Sequence, residues 1–127
     1  MYNFLRNFAG SNMVKKFTFW LEGLIEDDPL PAEITHILFN SRHNGNYKYI
    51  ELLGYEKEIN QNALAYYPLE AQLFFCNEIA KHNDNGFEYE VKYLIEECFS
   101  SRILKNQFKN KKIYFKYKEK INFLFKV

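Results

Sequence analysis

Three histidines and two cysteines are the side chains of this 127-residue chain best suited to proton transfer, metal ligation or nucleophilic attack near neutral pH. They are scattered. His36 falls in a predicted strand, His43 beside an Asn-Gly turn and His82 at a predicted helix end, so nothing in the sequence brings them together. A hairpin sets residues distant in sequence side by side, and His43 with Glu51 or Glu56 would make a general acid–base pair there; the plainer reading is a surface histidine in a turn facing a solvated carboxylate. Cys76 and Cys98 each lie in a predicted helix with no second ligand at metal spacing, which reads as two buried thiols of a reducing compartment. Gly10, Gly23, Gly45, Gly54 and Gly86 are isolated, so no phosphate loop forms, and no Gly-x-Ser-x-Gly, His-x-x-x-His or Asp-x-Asp pattern occurs. The expectation is a protein that is not an enzyme and that uses no metal and no cofactor.

Charge offers a different chemistry. The formal net charge of +1 conceals blocks of +3 over residues 1–21, −10 over 22–97 and +8 over 98–127. Such asymmetry steers partners more than it dictates a fold. The candidate partner-binding residues are Glu26, Asp27, Asp28 and Glu33, in a turn with Pro29 and Pro31, together with Glu51, Glu56 and Glu58 from the hairpin that follows. Carboxylates presented from an ordered turn mimic a phosphate backbone and would occupy the basic cleft of a nuclease with fast association. Trp20 joins them as an aromatic anchor if it faces solvent, a core position being the commoner outcome for tryptophan. At the other end, Lys105, Lys109, Lys111, Lys112, Lys116, Lys118, Lys120 and Lys126, with Tyr114, either track phosphates or guard the solvent face of an edge strand; edge protection is the preferred reading, since arginine is nearly absent.

The elements that must position these groups follow from composition and period. With 47% hydrophobic and 19% aromatic residues, the chain holds enough apolar surface for a single domain spanning 1–127 to fold without disulfides or metal, as a monomer or weak dimer. No basic-then-apolar leader and no run of about 18 apolar residues occurs, so a cytoplasmic protein without membrane contact is expected. Residues 1–12 read as a docked or flexible stub ending in Gly10-Ser11-Asn12. Val14–Ile25 is dense in β-formers, with Phe17, Phe19 and Leu21 alternating against Thr18, Trp20 and Glu22, and is predicted as a strand. Ile34–Asn40 and Tyr47–Tyr55 flank an Asn-Gly dipeptide, the strongest short-range hairpin signal. Glu56–Tyr67 reads as loop. Helices are predicted from Pro68 to Lys81 and from Glu88 to about Lys105, the second with acidic residues in its first turn and basic ones in its last. Residues 113–127 alternate as one long strand or as a hairpin turning at 118–120, in which a three-residue turn would pair Tyr117 with Ile121. The predicted class is α+β, a single mostly antiparallel sheet with two helices packed on one face.

A short, AT-rich, charge-segregated α+β chain with the acidic segment FTFWLEGLIEDDPLPAEI, Phe17–Ile34, resembles bacterial immunity proteins paired with contact-dependent growth-inhibition and other polymorphic toxins. The resemblance implies non-catalytic, stoichiometric neutralisation of a cognate toxin domain, expected to be a nuclease, in the bacterial cytoplasm. It implies no particular site residue. The alternative is a small nucleic-acid-binding protein that uses the basic C-terminal strand face.

Overall fold

Met13, Phe17, Leu21, Leu24 and Ile25 are all buried in the computed structural model of the chain, and their spacing is the stripe of a helix, not the alternation of a strand. The structure describes residues 2–44, 47–67, 73–76 and 84–127. Its first element is the helix α1, Tyr2–Asp27, which overturns the predicted strand over Val14–Ile25 and absorbs the stub through its Gly-Ser-Asn sequence. The physical reason is visible at Phe19. The alternation that suggested a strand needs Phe17, Phe19 and Leu21 on one face, yet Phe17 and Leu21 are fully buried while Phe19 is 71% exposed. Burial of this five-residue stripe outweighs β propensity. Pro29 and Pro31 follow the helix directly and cannot extend it.

Two strands then form the predicted hairpin. β1, His36–Asn44, pairs antiparallel with β2, Tyr47–Tyr55, in a register running from His36 opposite Tyr55 to Asn44 opposite Tyr47. The connecting residues 45–46 lie outside the described ones. The stretch expected as loop contains a 3-10 turn, Gln61–Ala63, whose preceding Asn60 accepts from the amides of Asn62 and Ala63, and a short strand β3, Leu64–Tyr66, on the far edge of β2. The helix predicted over 68–81 is corrected where it is described: Phe74 and Phe75 form β4, paired with Ile50 and Tyr49, and the Cys76 amide donates to the Lys48 carbonyl. A β-rich dipeptide beside an open strand edge finds its hydrogen bonds there instead. The rest of that prediction lies outside the described residues.

The second predicted helix exists but is broken. α2, Asp84–Cys98, and α3, Arg102–Gln107, are separated at Ser101, whose side chain caps α3 by accepting from the Leu104 amide and also donates to Glu22 on α1. The chain ends in β5, Lys112–Tyr117, and β6, Lys120–Lys126, the hairpin alternative. Tyr117 pairs with Lys120, not Ile121: the turn has two residues, and Lys118 takes a positive φ of 57° within it. Leu124 is the extra residue of a bulge opposite Ile113 and Tyr114.

The result is an α+β fold with a six-stranded, mostly antiparallel sheet in the order β3-β2-β1-β5-β6, β4 sharing the β2 edge with β3. One pair is parallel, β1 with β5. The larger core joins Phe17, Leu21 and Leu24 of α1 and Phe87, Val91 and Leu94 of α2 to the strand residues Ile37, Phe39, Ile50, Leu52, Ile113 and Phe115. These strand residues share the inner face by alternation. Leu38, Leu53 and Tyr55 form a smaller cluster on the opposite, outer face, with Ile59, Ala63 and Tyr114 against them. Among the described residues no helix is long and apolar enough to cross a membrane.

Candidate functional site

The outer face is built by the other half of each strand's alternation. On β1 it takes His36, Leu38, Asn40 and Arg42; on β2, the residues opposite them, Tyr55, Leu53, Glu51 and Tyr49. Parallel register adds Lys112, Tyr114 and Lys116 from β5, and Phe123 and Ile121 of β6 pair with the last two. Phe75 of β4 lies opposite Tyr49, and Leu64 of β3 opposite Tyr55. Nine large apolar side chains are exposed among the described residues, and six of them, Tyr47, Leu64, Tyr67, Phe75, Ile121 and Phe123, belong to this face. Their rings are ordered by one another: Phe75 meets Tyr47 and Tyr49 at 6.0 Å between centroids, and Phe123 meets Tyr114 at 5.2 Å. His36 stacks on Tyr114 at 5.6 Å.

Glu51 lies at the middle of this face and is only 7% exposed. Its Oε1 accepts from Asn40 Nδ2 and from Arg42 Nε, each at 2.8 Å, and its Oε2 accepts from the Tyr67 hydroxyl at 3.4 Å. The Asn40 bond is the buried one. Arg42 remains 58% exposed, so the ion pair belongs to the screened class that contributes at most about 1 kcal/mol. Burial, and then the charge of Glu51, push the neighbouring Tyr55 phenol above its ordinary range. The predicted role of Glu51 in an exposed acidic surface is therefore corrected: its carboxylate is consumed in holding β1 and β2 together.

The other predicted carboxylates gather at one end of the sheet. Glu26 and Asp27 are exposed on the last turn of α1, and the Asp28 carbonyl accepts from Tyr66 of β3 at 2.6 Å. The Thr35 amide donates to the Tyr55 carbonyl, which brings exposed Glu33 beside exposed Glu56 and Glu58. This end is not purely acidic. Lys111 is buried, donates to the Ile34 carbonyl and has its pKa lowered by burial against the opposing pull of Glu33. Trp20 is not a solvent-facing anchor: its ring packs on the core at 5.4 Å from Phe17 and 5.6 Å from Phe74, with its Nε1 buried and without a hydrogen-bond partner among the described residues.

The basic ladder also divides. β5 lies inside the sheet, so Lys112 and Lys116 are not edge guards; β6 is the edge strand, with Lys120 and Lys126 at its two ends. Where β1 runs on past the end of its pairing with β5, a cleft of about 780 Å³ opens. Among the described residues, Arg42, Lys48, Lys116, Lys118 and Glu119 are the charged side chains that line it. Of the three histidines, His36 pairs with Tyr55 at the far end of the hairpin, while the His43 side chain and His82 lie outside the described residues. Among the described residues, no three His, Cys, Asp or Glu side chains form a group able to hold a metal ion. Burial pushes the Cys76 thiol up to about 12 and raises Cys98 further, so neither is an activated nucleophile.

Compared with known protein families, curated proteins and solved structures, the chain matches none. The geometry carries the functional argument alone.

Proposed function

We propose that this chain is a non-catalytic binding protein of the immunity type, which neutralises a cognate toxin domain, a nuclease, by direct stoichiometric docking in the bacterial cytoplasm. The observation that carries this reading is the collection, on the outer sheet face, of six of the nine large apolar side chains that are exposed among the described residues. Aromatic side chains on a rigid sheet are the usual anchors of protein interfaces, since they bury a large area while losing few rotatable bonds. The Arg42–Glu51–Asn40 network gives that face a fixed polar centre. The acidic end supports the choice of a nuclease: Asp27, Asp28, Glu33, Glu56 and Glu58 would face a cleft that is basic because it binds phosphate, and would speed encounter. The protein acts as a monomer or weak dimer, so that the face is open to its partner.

The test is growth rescue. The chain is co-expressed with the toxin domain encoded beside it, as the wild type and with Phe75→Ser and Phe123→Ser combined. Both phenylalanines are about half exposed, so the double variant should fold, and circular dichroism checks that it does. Rescue should be lost in the double variant. Full rescue by a folded double variant removes the outer face from the interface.

A further inference from the structure

β6 ends the sheet, and among the described residues no strand pairs with its far side. Alternate amides and carbonyls of an edge strand point away from the sheet, where they are a template for one strand more. Ile121 and Phe123 stand at this margin on the outer face, 43% and 54% exposed. Charge marks the same edge. Lys120 and Lys126 are exposed at the two ends of β6, and neither forms an ion pair among the described residues. Lys126 lies directly opposite Lys112, a like-charge pair across two strands that costs stability until a carboxylate comes beside it. Glu119, the one acidic residue of 98–127, is in the turn at the other end of the strand. A second copy of β6 fits this edge poorly. The bulge at Leu124 sets Ile121 and Phe123 on one face and Phe125 on the other, so an antiparallel copy centred on Phe123 would oppose residues of opposite faces and bring Lys120 beside Lys126 twice. The lysines that guard the edge against its own kind are the ones that suit an acidic strand.

From this arrangement we propose that the β6 edge binds an extended acidic segment of the partner protein, which adds to the sheet as a further strand. Its apolar side chains lie over Ile121 and Phe123, and its carboxylates come beside Lys120 and Lys126. Main-chain hydrogen bonds give such a complex affinity, and the alternate side chains give it specificity. A nucleic-acid strand would meet the lysines equally well, but it has no ladder of N–H and C=O groups to match the edge. The inference rests on the immunity reading and deepens it, by stating what the partner presents to this margin of the outer face.

The experiment is a nuclear magnetic resonance titration of the whole chain at about 0.15 M salt, with amide exchange read residue by residue. The probes are a synthetic peptide of alternating valine and glutamate, its valine–lysine counterpart, and a single-stranded oligonucleotide. The glutamate peptide should slow exchange along β6 and bind at least about tenfold more tightly than the lysine peptide. Lys120→Glu with Lys126→Glu, both at exposed positions, should reverse that preference, and Lys15→Glu, exposed on α1, should keep it. Failure of the glutamate peptide to bind at millimolar concentration, binding that leaves β6 exchange unchanged, or a preference that the double variant does not reverse overturns the proposal. Tighter binding of the oligonucleotide would assign the lysines to nucleic acid, and β6 exchange that slows in the chain alone as its concentration rises would assign the edge to a second copy; either result also overturns it. No toxin domain enters the titration, so this inference and the immunity reading, tested by growth rescue, can fail separately.

Discussion

Glu51 and His36 show how position on the sheet decides what a titratable side chain can do. Both sit on the outer face, fifteen residues apart, yet Glu51 is enclosed by Asn40, Arg42 and Tyr67 while His36 stacks on Tyr114 near the rim. No composition argument separates Glu51 from Glu56 or Glu58; only the pairing of Asn40 with Glu51 does. For His36, burial and then the charge of Lys112 lower the pKa, against a smaller opposing pull from Glu58. The folded state thus binds this proton less readily than the unfolded chain, whose histidine titrates near about 6.5. Stability from this group is complete above that value and declines as pH falls through it towards the folded pKa. Urea midpoints should accordingly drop between about pH 7 and pH 5 by more in the wild type than in His36→Gln. Equal drops would show that His36 is not coupled to folding.

At the scale of elements, the hairpin was legible and α1 was not, for reasons that can be named. Tyr47–Tyr55 emerges as a strand with its predicted bounds because an Asn-Gly signal and two β-rich runs agree with the long-range pairing. In Val14–Ile25, two periods fit the same letters, and what decides between them is a core that the segment itself does not contain. Phe74–Cys76 failed likewise, since its partner is the distant edge of β2. Glycines test these elements in opposite directions. Gly23 lies inside α1 with nothing within 4 Å of an added Cβ, so Gly23→Ala should stabilise by about 0.5–1 kcal/mol. At Gly54 an added Cβ would lie 2.8 Å from the Tyr66 Cβ and 3.0 Å from Ile34, so Gly54→Ala should destabilise by about 1–3 kcal/mol. Denaturant unfolding of both variants checks the pair. A destabilising Gly23→Ala would contradict the helical assignment of that segment, and a neutral Gly54→Ala the close packing of β3 on β2.

Over the whole molecule, the surface that organises the proposed function depends on one feature that local reading could not reach, the parallel pairing of β1 with β5 across 75 residues of chain. That pairing places β5 inside the sheet, turns Tyr114 and Lys116 onto the outer face beside Leu38 and Asn40, and leaves β6 to carry Ile121 and Phe123 at the margin. The acidic residues were legible as a cluster because most are close in sequence. Their separation from Glu51 and Trp20 was not, because it depends on which side chains the fold buries. The proposed anchors and steering charges consequently occupy different regions, and their substitutions should have different kinetic signatures: loss of aromatic anchors raises the off-rate, whereas loss of rim charge lowers the on-rate and its salt dependence. The most direct measurement is binding kinetics between this chain and its proposed partner, a toxin domain, across a salt series. The wild type should form a one-to-one complex, Phe75→Ser with Phe123→Ser should dissociate at least about tenfold faster with little change in on-rate, and Asp27→Ala, Asp28→Ala and Glu33→Ala together should associate more slowly with a flatter salt dependence. No complex with that domain, or dissociation unaffected by the two phenylalanine substitutions, would contradict the account.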